Sequence, residues 1–212
     1  MGLLTRSRVR VGVERLESVL SRLPVRLPGV AVLGVGMDGI PLLVDVHDRR
    51  VGSLLVVADD LAVGQGLLDV IRRSLTRLSY AHEVQVWWGT ERERQRSVGM
   101  TRVFALHDRG LENALLHLAD VVESRQHGKL PGPTQVLLLD DLSIVRAIDR
   151  EGRWALEYLL RAGAEQRVWV AAAVGGRDAE ARCWYRRFGR LVTWNEAGHF
   201  ECGKERFYPV EV

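Results

Sequence analysis

The stretch Leu54–Leu68, LLVVADDLAVGQGLL, constrains the fold of this chain more than any other. It opens with a continuous apolar run, which is typical of a strand buried on both faces of a parallel sheet. Two aspartates follow, and apolar residues then recur at helical spacing. A buried strand that leads through a short polar turn into an amphipathic helix is the repeating unit of α/β folds.

The same strand-then-helix unit recurs along the chain. We predict strands at 53–58, 83–88, 135–139, 167–173 and 191–194, a further short strand at 101–105, and helices at 65–80, 111–125, 147–162 and 178–188. This alternation predicts a three-layer α/β domain with a mainly parallel sheet over residues 31–212. A basic leader and an amphipathic helix within 13–23 precede it in residues 1–30. Residues 31–34 and 42–46 read as a β-hairpin, and the tail 199–212 as two short strands.

Composition excludes several classes of protein. A hydrophobic fraction of 47% over 212 residues is ample for a core. No apolar run approaches the ~20 residues that span a bilayer, and the N-terminus lacks the apolar core of a signal peptide. We therefore predict a cytoplasmic protein without membrane insertion. All but two of the 30 basic residues are arginines, and they are scattered, so the net charge of +3 does not by itself establish a nucleic-acid partner.

The turn inside Leu54–Leu68 has the length of a phosphate-binding P-loop, G-x-x-x-x-G-K-[ST], in which backbone N–H groups wrap the phosphates. In a P-loop the lysine reaches the terminal phosphates and the hydroxyl binds magnesium. The aligned residues here are Asp59, Asp60, Leu61, Ala62, Val63, Gly64, Gln65 and Gly66. Only Gly64 matches: aspartate replaces the first glycine, Gln65 the lysine and Gly66 the hydroxyl.

From about residue 38 to the end, the chain resembles the FtsK/HerA family of ring-forming, DNA-pumping P-loop ATPases. The resemblance rests on the order of five stretches rather than on one motif. These are MDGIPLLVDVHDRRVGSLLVVA, ALHDRGLENALLHLADVVESRQ, VLLLDDL, EGRWALEYLLRAGAEQRVWVAAAV and YRRFGRLVTW. It covers about four-fifths of the chain and implies a RecA-like P-loop NTPase fold.

The resemblance also implies which residues once formed the nucleotide site. VLLLDDL is similar to the Walker B strand, so Asp140 would orient magnesium if Mg-nucleotide binds. Asp141 stands where the family usually has a water-activating glutamate. The family's sensor strand ends in a threonine-glutamine pair, and here Ala173 and Val174 stand there. Neither of their side chains can hydrogen-bond a phosphate.

These losses predict a pseudo-ATPase with no cofactor, or Mg-ATP only if the loop still binds it. Gln65 carries no charge, and ionised aspartates at 59 and 60 would repel a triphosphate. We expect a non-hydrolysing assembly or regulatory subunit of a DNA translocation, conjugation or packaging system. Its expected partners are copies of itself or an active ATPase, with DNA as a further candidate partner. Two alternatives stay open: a weakly active translocase-type ATPase, and a nucleic-acid-binding module without motor activity.

Three further patterns favour other sites less strongly. Gly34-x-Gly36-x-x-Gly39 has the spacing of a dinucleotide fingerprint, but β-favouring residues follow it, so a hairpin turn is the better interpretation. Cys183, His199 and Cys202 are too irregularly spaced to predict zinc. Arginines 177, 182, 186 and 187 surround the last predicted helix and could serve a neighbouring subunit, although a solvated face explains them more simply.

Overall fold

One ten-stranded sheet forms the centre of the protein. A computed structural model describes residues 14–91, 99–106, 109–129, 131–176, 178 and 182–212, with the backbone alone for residue 182. The strands are β1 (Val30–Gly36), β2 (Pro41–Asp45), β3 (Leu54–Ala58), β4 (Val84–Gly89), β5 (Thr101–Phe104), β6 (Thr134–Leu139), β7 (Val168–Gly175), β8 (Arg190–Trp194), β9 (Phe200–Cys202) and β10 (Glu205–Tyr208). Their order across the sheet is β2-β1-β10-β9-β8-β3-β7-β6-β4-β5.

The sheet has a parallel part and an antiparallel part. Strands β8, β3, β7, β6, β4 and β5 pair with one another in parallel. In the centre, Val56 of β3 stands opposite both Ala173 of β7 and Val192 of β8. Strands β9, β10, β1 and β2 extend this part by antiparallel pairing. The sheet is therefore mainly parallel, as predicted.

Helices cover both faces of the sheet and make three layers. They are α1 (Leu16–Ser21), α2 (Leu61–Leu78), α3 (Arg109–Gln126), α4 (Arg150–Ala162) and α5 (Arg182–Tyr185), with 3₁₀ turns at Leu142–Arg146 and Ala164–Gln166. On one face, Leu68 and Ile71 of α2 pack into a cluster with Val56 and Trp88. On the other, α3 and α4 cover a cluster that includes Leu137. Alternation along each strand supplies both clusters, since neighbouring side chains point to opposite faces.

The α/β prediction is confirmed, and the structure corrects its details. Helix α2 begins at Leu61 rather than at residue 65, and α4 begins at Arg150 rather than at residue 147, because Asp149 caps it and the preceding 3₁₀ turn ends at Arg146. Of the predicted helix at 178–188, α5 covers Arg182–Tyr185, residues 186–188 are not helical, and residues 179–181 lie outside the described part. Strands β1 and β2 form the predicted hairpin, but it is continuous with the main sheet, since Val35 pairs with Tyr208 of β10.

Candidate functional site

The carboxyl ends of four parallel strands meet at one edge of the sheet. These are the ends of β3, β7, β6 and β4, and ligands of open α/β sheets bind at this edge. Asp59 and Asp60 follow β3, Gly176 follows β7 and Asp140 follows β6. The structure thus brings together the two predicted parts of the site, the P-loop segment and the Walker B carboxylates.

Residues 59–66 do not form a wide loop. Asp60 is the N-cap of α2, and its carboxylate accepts a hydrogen bond from the backbone N–H of Ala62 at 3.0 Å. The backbone N–H of Val63 donates to the carbonyl of Asp60 at 3.1 Å. Two aspartates therefore make the whole connection between β3 and α2, and the other six residues of the aligned segment are helical.

This early helix start is explained by local chemistry. Aspartate is among the best N-cap residues because its side chain accepts one of the N–H groups that the first turn leaves without a partner. Gly64 lets the helix lie close to β7: a Cβ added there would stand 3.2 Å from the Cβ of Ala173. The small residue of β7 and the glycine of α2 together set this close packing.

The side chain of Gln65 points toward the end of β6. Its amide Nε2 donates to the backbone carbonyl of Asp140 at 3.3 Å. A P-loop lysine at the aligned position would instead place a positive charge beside the phosphates. Gln65 thus connects α2 to β6 through a neutral hydrogen bond and adds no positive charge to the edge.

Asp140 is held inside the protein with an exposure of 1%. One carboxylate oxygen accepts from the indole Nε1 of Trp88 at 2.8 Å, and the other accepts from the hydroxyl of Thr90 at 2.6 Å. The backbone N–H of Asp140 donates to the carbonyl of Gly89 at 3.0 Å. A buried carboxylate needs such donors to offset the loss of its hydration. Both oxygens of Asp140 therefore serve the interior contact between β6 and β4.

Asp141 has a structural role of another kind. Its side chain accepts from the backbone N–H of Ser143 at 2.8 Å and caps the 3₁₀ turn at Leu142–Arg146. Capping occupies only part of the carboxylate, which is half-buried. Asp141 consequently remains the more accessible of the two Walker B carboxylates.

The end of β7 presents no polar side chain to the site. Ala173 and Val174 are fully buried, and β7 continues to Gly175. Gly176 then turns back, and its N–H donates to the carbonyl of Ala58 at 2.9 Å. A Cβ on Gly176 would stand 2.6 Å from a carboxylate oxygen of Asp59, so this aspartate lies directly over the glycine.

These residues do not fit Mg-ATP in the manner of a P-loop. Hydrogen bonds of the first helical turn use the N–H groups of Ala62 and Val63 that would face phosphates. The strand ends carry carboxylates, and unit charges 4 Å apart repel by ~1 kcal/mol in water and by about 4 kcal/mol at an effective dielectric constant of 20. We therefore derive no nucleotide chemistry from this edge.

The other predicted patterns resolve into structural features. Gly36 and Gly39 form the β1–β2 turn, where the N–H of Gly39 donates to Gly36 at 3.0 Å and Gly39 has φ of +80°. The dinucleotide interpretation is therefore wrong. In the described part of the chain, no three metal-binding side chains form a cluster. Burial raises the pKa of the Cys202 thiol, and Cys183 is exposed.

The arginines around α5 are only partly described. Arg187 forms an ion pair with Glu157 and lies 4.9 Å from the ring centre of Trp184. Arg186 is exposed. Arg177 and the side chain of Arg182 lie outside the described residues. A role for these arginines at a neighbouring subunit stays a prediction.

Sequence reasoning missed the partners of Asp140. Trp88 ends the predicted strand at 83–88 and Thr90 lies outside the predicted elements, yet Thr90 is only 4% exposed. The signal that could have found them is strand order: β4 pairs with β6, and Gly89 stands opposite Leu139, one residue before Asp140. Parallel neighbours end at the same edge, so residues just past both ends meet.

The fold is that of P-loop ATPase domains. The chain aligns with EccC ATPases 2 and 3 of Thermomonospora curvata, solved in complex with a signal sequence peptide, at a TM-score of 0.69 and 12% identity over 90% of the chain. It aligns with EssC ATPases 2 and 3 of Geobacillus thermodenitrificans at 0.70 and 15% over 94%. The conjugation coupling protein TcpA of pCW3, solved as a monomer form with ATPγS, aligns at 0.65 and 14% over 90%.

The chain spans 44% of the EccC and EssC structures and 71% of the TcpA structure. No model of a protein family matches the sequence, and no curated protein matches it. Identities this low establish the fold alone. Within the described residues, no helix is both long and apolar enough to cross a membrane.

Proposed function

We propose that the chain is a non-hydrolysing domain of the P-loop ATPase fold, a pseudo-ATPase that acts as an assembly or regulatory subunit of a translocation system. The observation that carries this proposal is the two-residue connection between β3 and α2. A working P-loop needs about six residues between strand and lysine. Matched by helix start, Leu61 and Ala62 take the places of the lysine and the hydroxyl.

The remaining parts of the site support the same proposal. The carboxylate of Asp140 accepts hydrogen bonds from Trp88 and Thr90, and the end of β7 offers alanine and valine. Catalysis of phosphoryl transfer consists almost entirely of positioning and electrostatic stabilisation. Three parts are missing together: the loop that wraps the phosphates, the lysine and the polar end of the sensor strand. Their joint loss removes those contributions, whereas loss of one would leave some activity.

The setting is inferred from the proteins that share the fold. EccC is described as a type VII secretion ATPase and TcpA as a conjugation coupling protein. The sequence resemblance to DNA-pumping ATPases agrees with this setting. A domain that keeps such a fold without its chemistry can still contribute interfaces to an assembly. We therefore propose that its partners are copies of itself or an ATPase with an intact P-loop.

Calorimetric titration with Mg-ATP tests the proposal. We expect no binding up to about 1 mM, which corresponds to less than about 4 kcal/mol of binding free energy. As a gain-of-function variant, Asp59–Ala62 is replaced by Gly-x-x-x-x-Gly-Lys-Ser, which restores both loop length and lysine. A matched control carries the same longer loop with the leucine and alanine retained. Only the lysine variant should gain affinity.

Micromolar binding of Mg-ATP by the unaltered chain would contradict the proposal. The subunit role is tested separately by sedimentation of the chain alone and with an intact P-loop ATPase encoded beside it. Self-association or co-sedimentation supports the role, and a monomer that binds neither would overturn it.

A further inference from the structure

An exposed pair of stacked aromatic rings stands on α4. Trp154 is 56% exposed, which is unusual for the largest apolar side chain. Its ring stacks on that of Tyr158, with centroids 5.4 Å apart and planes 7° from parallel. The two residues are four positions apart, one helical turn, so the stack lies along the outer surface of the helix.

Contacts of Tyr158 with neighbouring residues hold the stack in place. The hydroxyl of Tyr158 donates to the side-chain carbonyl of Gln126, at the end of α3, at 2.8 Å. Arg161 lies 5.8 Å from the centre of the Tyr158 ring. With Tyr158 held by a second helix, the ring of Trp154 has a defined support. An ordered, exposed ring is prepared for a ligand without the loss of much side-chain freedom.

Two arginines flank the stack on the same helix face. Arg150 lies one turn before Trp154 and Arg161 two turns after it, about 16 Å apart along the axis. In the described part of the chain, neither forms an ion pair with a carboxylate. Glu157, which lies between them, is paired with Arg187. The face defined by Arg150, Trp154, Tyr158 and Arg161 is therefore aromatic in the centre and positively charged at both ends.

We propose that this α4 face binds single-stranded nucleic acid, with a base stacked on Trp154 and backbone phosphates at Arg150 and Arg161. Base stacking on aromatic side chains combined with arginine–phosphate contacts is how proteins hold single strands without reading sequence. The exposed ring of Trp154 is a flat stacking surface on a single helix, whereas a peptide side chain needs a pocket. An acidic peptide would satisfy the arginines but would leave the ring without a partner of its own shape.

This inference does not rest on the proposed function. The α4 face lies on the opposite side of the sheet from α2, whose start carries the nucleotide argument. A chain that binds Mg-ATP could still bind a single strand here, and a chain that binds no strand could still be an assembly subunit. Failure of one proposal therefore leaves the other intact.

Fluorescence anisotropy at low salt tests the inference with two labelled probes. One is oligothymidylate of about twelve nucleotides, and the other is an abasic strand of the same length and charge. We expect the abasic strand to bind at least about fivefold more weakly, since it cannot stack. Trp154→Ala should weaken oligothymidylate binding by about tenfold and abolish the difference between the probes. Trp154→Tyr, which keeps a ring, should retain most of the affinity.

The double variant Arg150→Ala and Arg161→Ala should bind both probes more weakly. It should also reduce the steepness of log binding constant against log salt concentration by about 1.4, as expected for two phosphate contacts on a single strand. The matched control is Arg26→Ala with Tyr80→Ala. Those residues form an exposed arginine–aromatic pair elsewhere, with the Arg26 guanidinium 3.2 Å from the ring centre, and their loss should change neither affinity.

Three results would overturn the inference. The first is that the two probes bind with equal affinity, or that neither binds at low salt. The second is competition by polyglutamate as strong as that by oligothymidylate, which would assign the face to an acidic protein partner. The third is a change in sedimentation of the Trp154→Ala variant without loss of strand binding, which would make the face a contact between copies.

Discussion

Gly66 lies in the second turn of α2, at the position that the motif alignment matches to the magnesium-binding hydroxyl of a P-loop. An added Cβ at this position would meet no atom within 4 Å, and its φ is not positive. Glycine inside a helix is destabilising because it loses the most backbone freedom on folding. Nothing in the contacts of the described residues therefore requires a glycine here.

Gly66→Ala should stabilise the protein by about 0.5–1 kcal/mol, the usual gain for alanine over glycine inside a helix. Urea denaturation monitored by circular dichroism measures this change. The control is Gly64→Ala, whose added Cβ would stand 3.2 Å from Ala173 and 3.5 Å from Val56, so crowding should offset the same gain. A destabilised Gly66→Ala variant would mean that residues 61–66 are not helical.

At the scale of the element, α2 shows how one residue moves a boundary. Apolar spacing located its body correctly, because Leu67, Leu68, Ile71 and Leu75 form a regular face. The predicted start at residue 65 is four residues late, because the alignment with the P-loop motif assigns residues 59–64 to a loop. The side chain of Asp60 decides the boundary by capping at Ala62.

Asp60→Ala should cost about 0.5–2 kcal/mol of stability, the range measured for lost aspartate caps. Asp60→Asn should be close to neutral because its amide oxygen can accept the same hydrogen bond. Asp59→Ala is the matched control: it removes a neighbouring carboxylate that does not cap the helix. Denaturation midpoints of the three variants measure the differences. Equal losses for the alanine variants at 59 and 60 would contradict the capping role.

Much of the fold could be predicted from local pattern, and the site could not. A continuous apolar run predicts each buried strand, as in β6, so the parallel sheet follows from the sequence. Strand order does not, because the pairing of β4 with β6 joins segments that are distant in the chain. Without it, Trp88 and Thr90 could not be recognised as the partners of Asp140. The sequence predicts that the P-loop residues are replaced, but not that the connection between β3 and α2 is only two residues long.

At the scale of the molecule, the last strands join two halves. Strand β10 pairs with β1, and β9 pairs with β8, so the tail lies between the hairpin and the parallel part. Phe200 and Phe207 are fully buried there, with ring centroids 5.3 Å apart. The hairpin reaches the parallel strands within the sheet only through these two strands, which should make the sheet unfold as one unit.

Phe207→Ala should destabilise the protein by about 3–5 kcal/mol, the range for large aromatic truncations in a core. Hydrogen exchange should rise in β1 and β2 together with β9 and β10. Glu205→Ala, an exposed change on the same strand, serves as the control and should alter stability by less than about 0.5 kcal/mol. Faster exchange confined to β9 and β10 would contradict the bridging role.

The placement of β9 and β10 also has a consequence for biosynthesis. A ribosome delivers β1 and β2 well before β10, yet the side of β1 that faces away from β2 pairs at Val35 and Gly36 with Tyr208 and Phe207 of β10. Until those residues emerge, one edge of β1 stays open, and open edges are where strands of different chains pair wrongly. Sheet closure between such distant segments is also slow. The newly made chain should therefore depend on α1 and α2 to shield the hairpin until β10 has emerged.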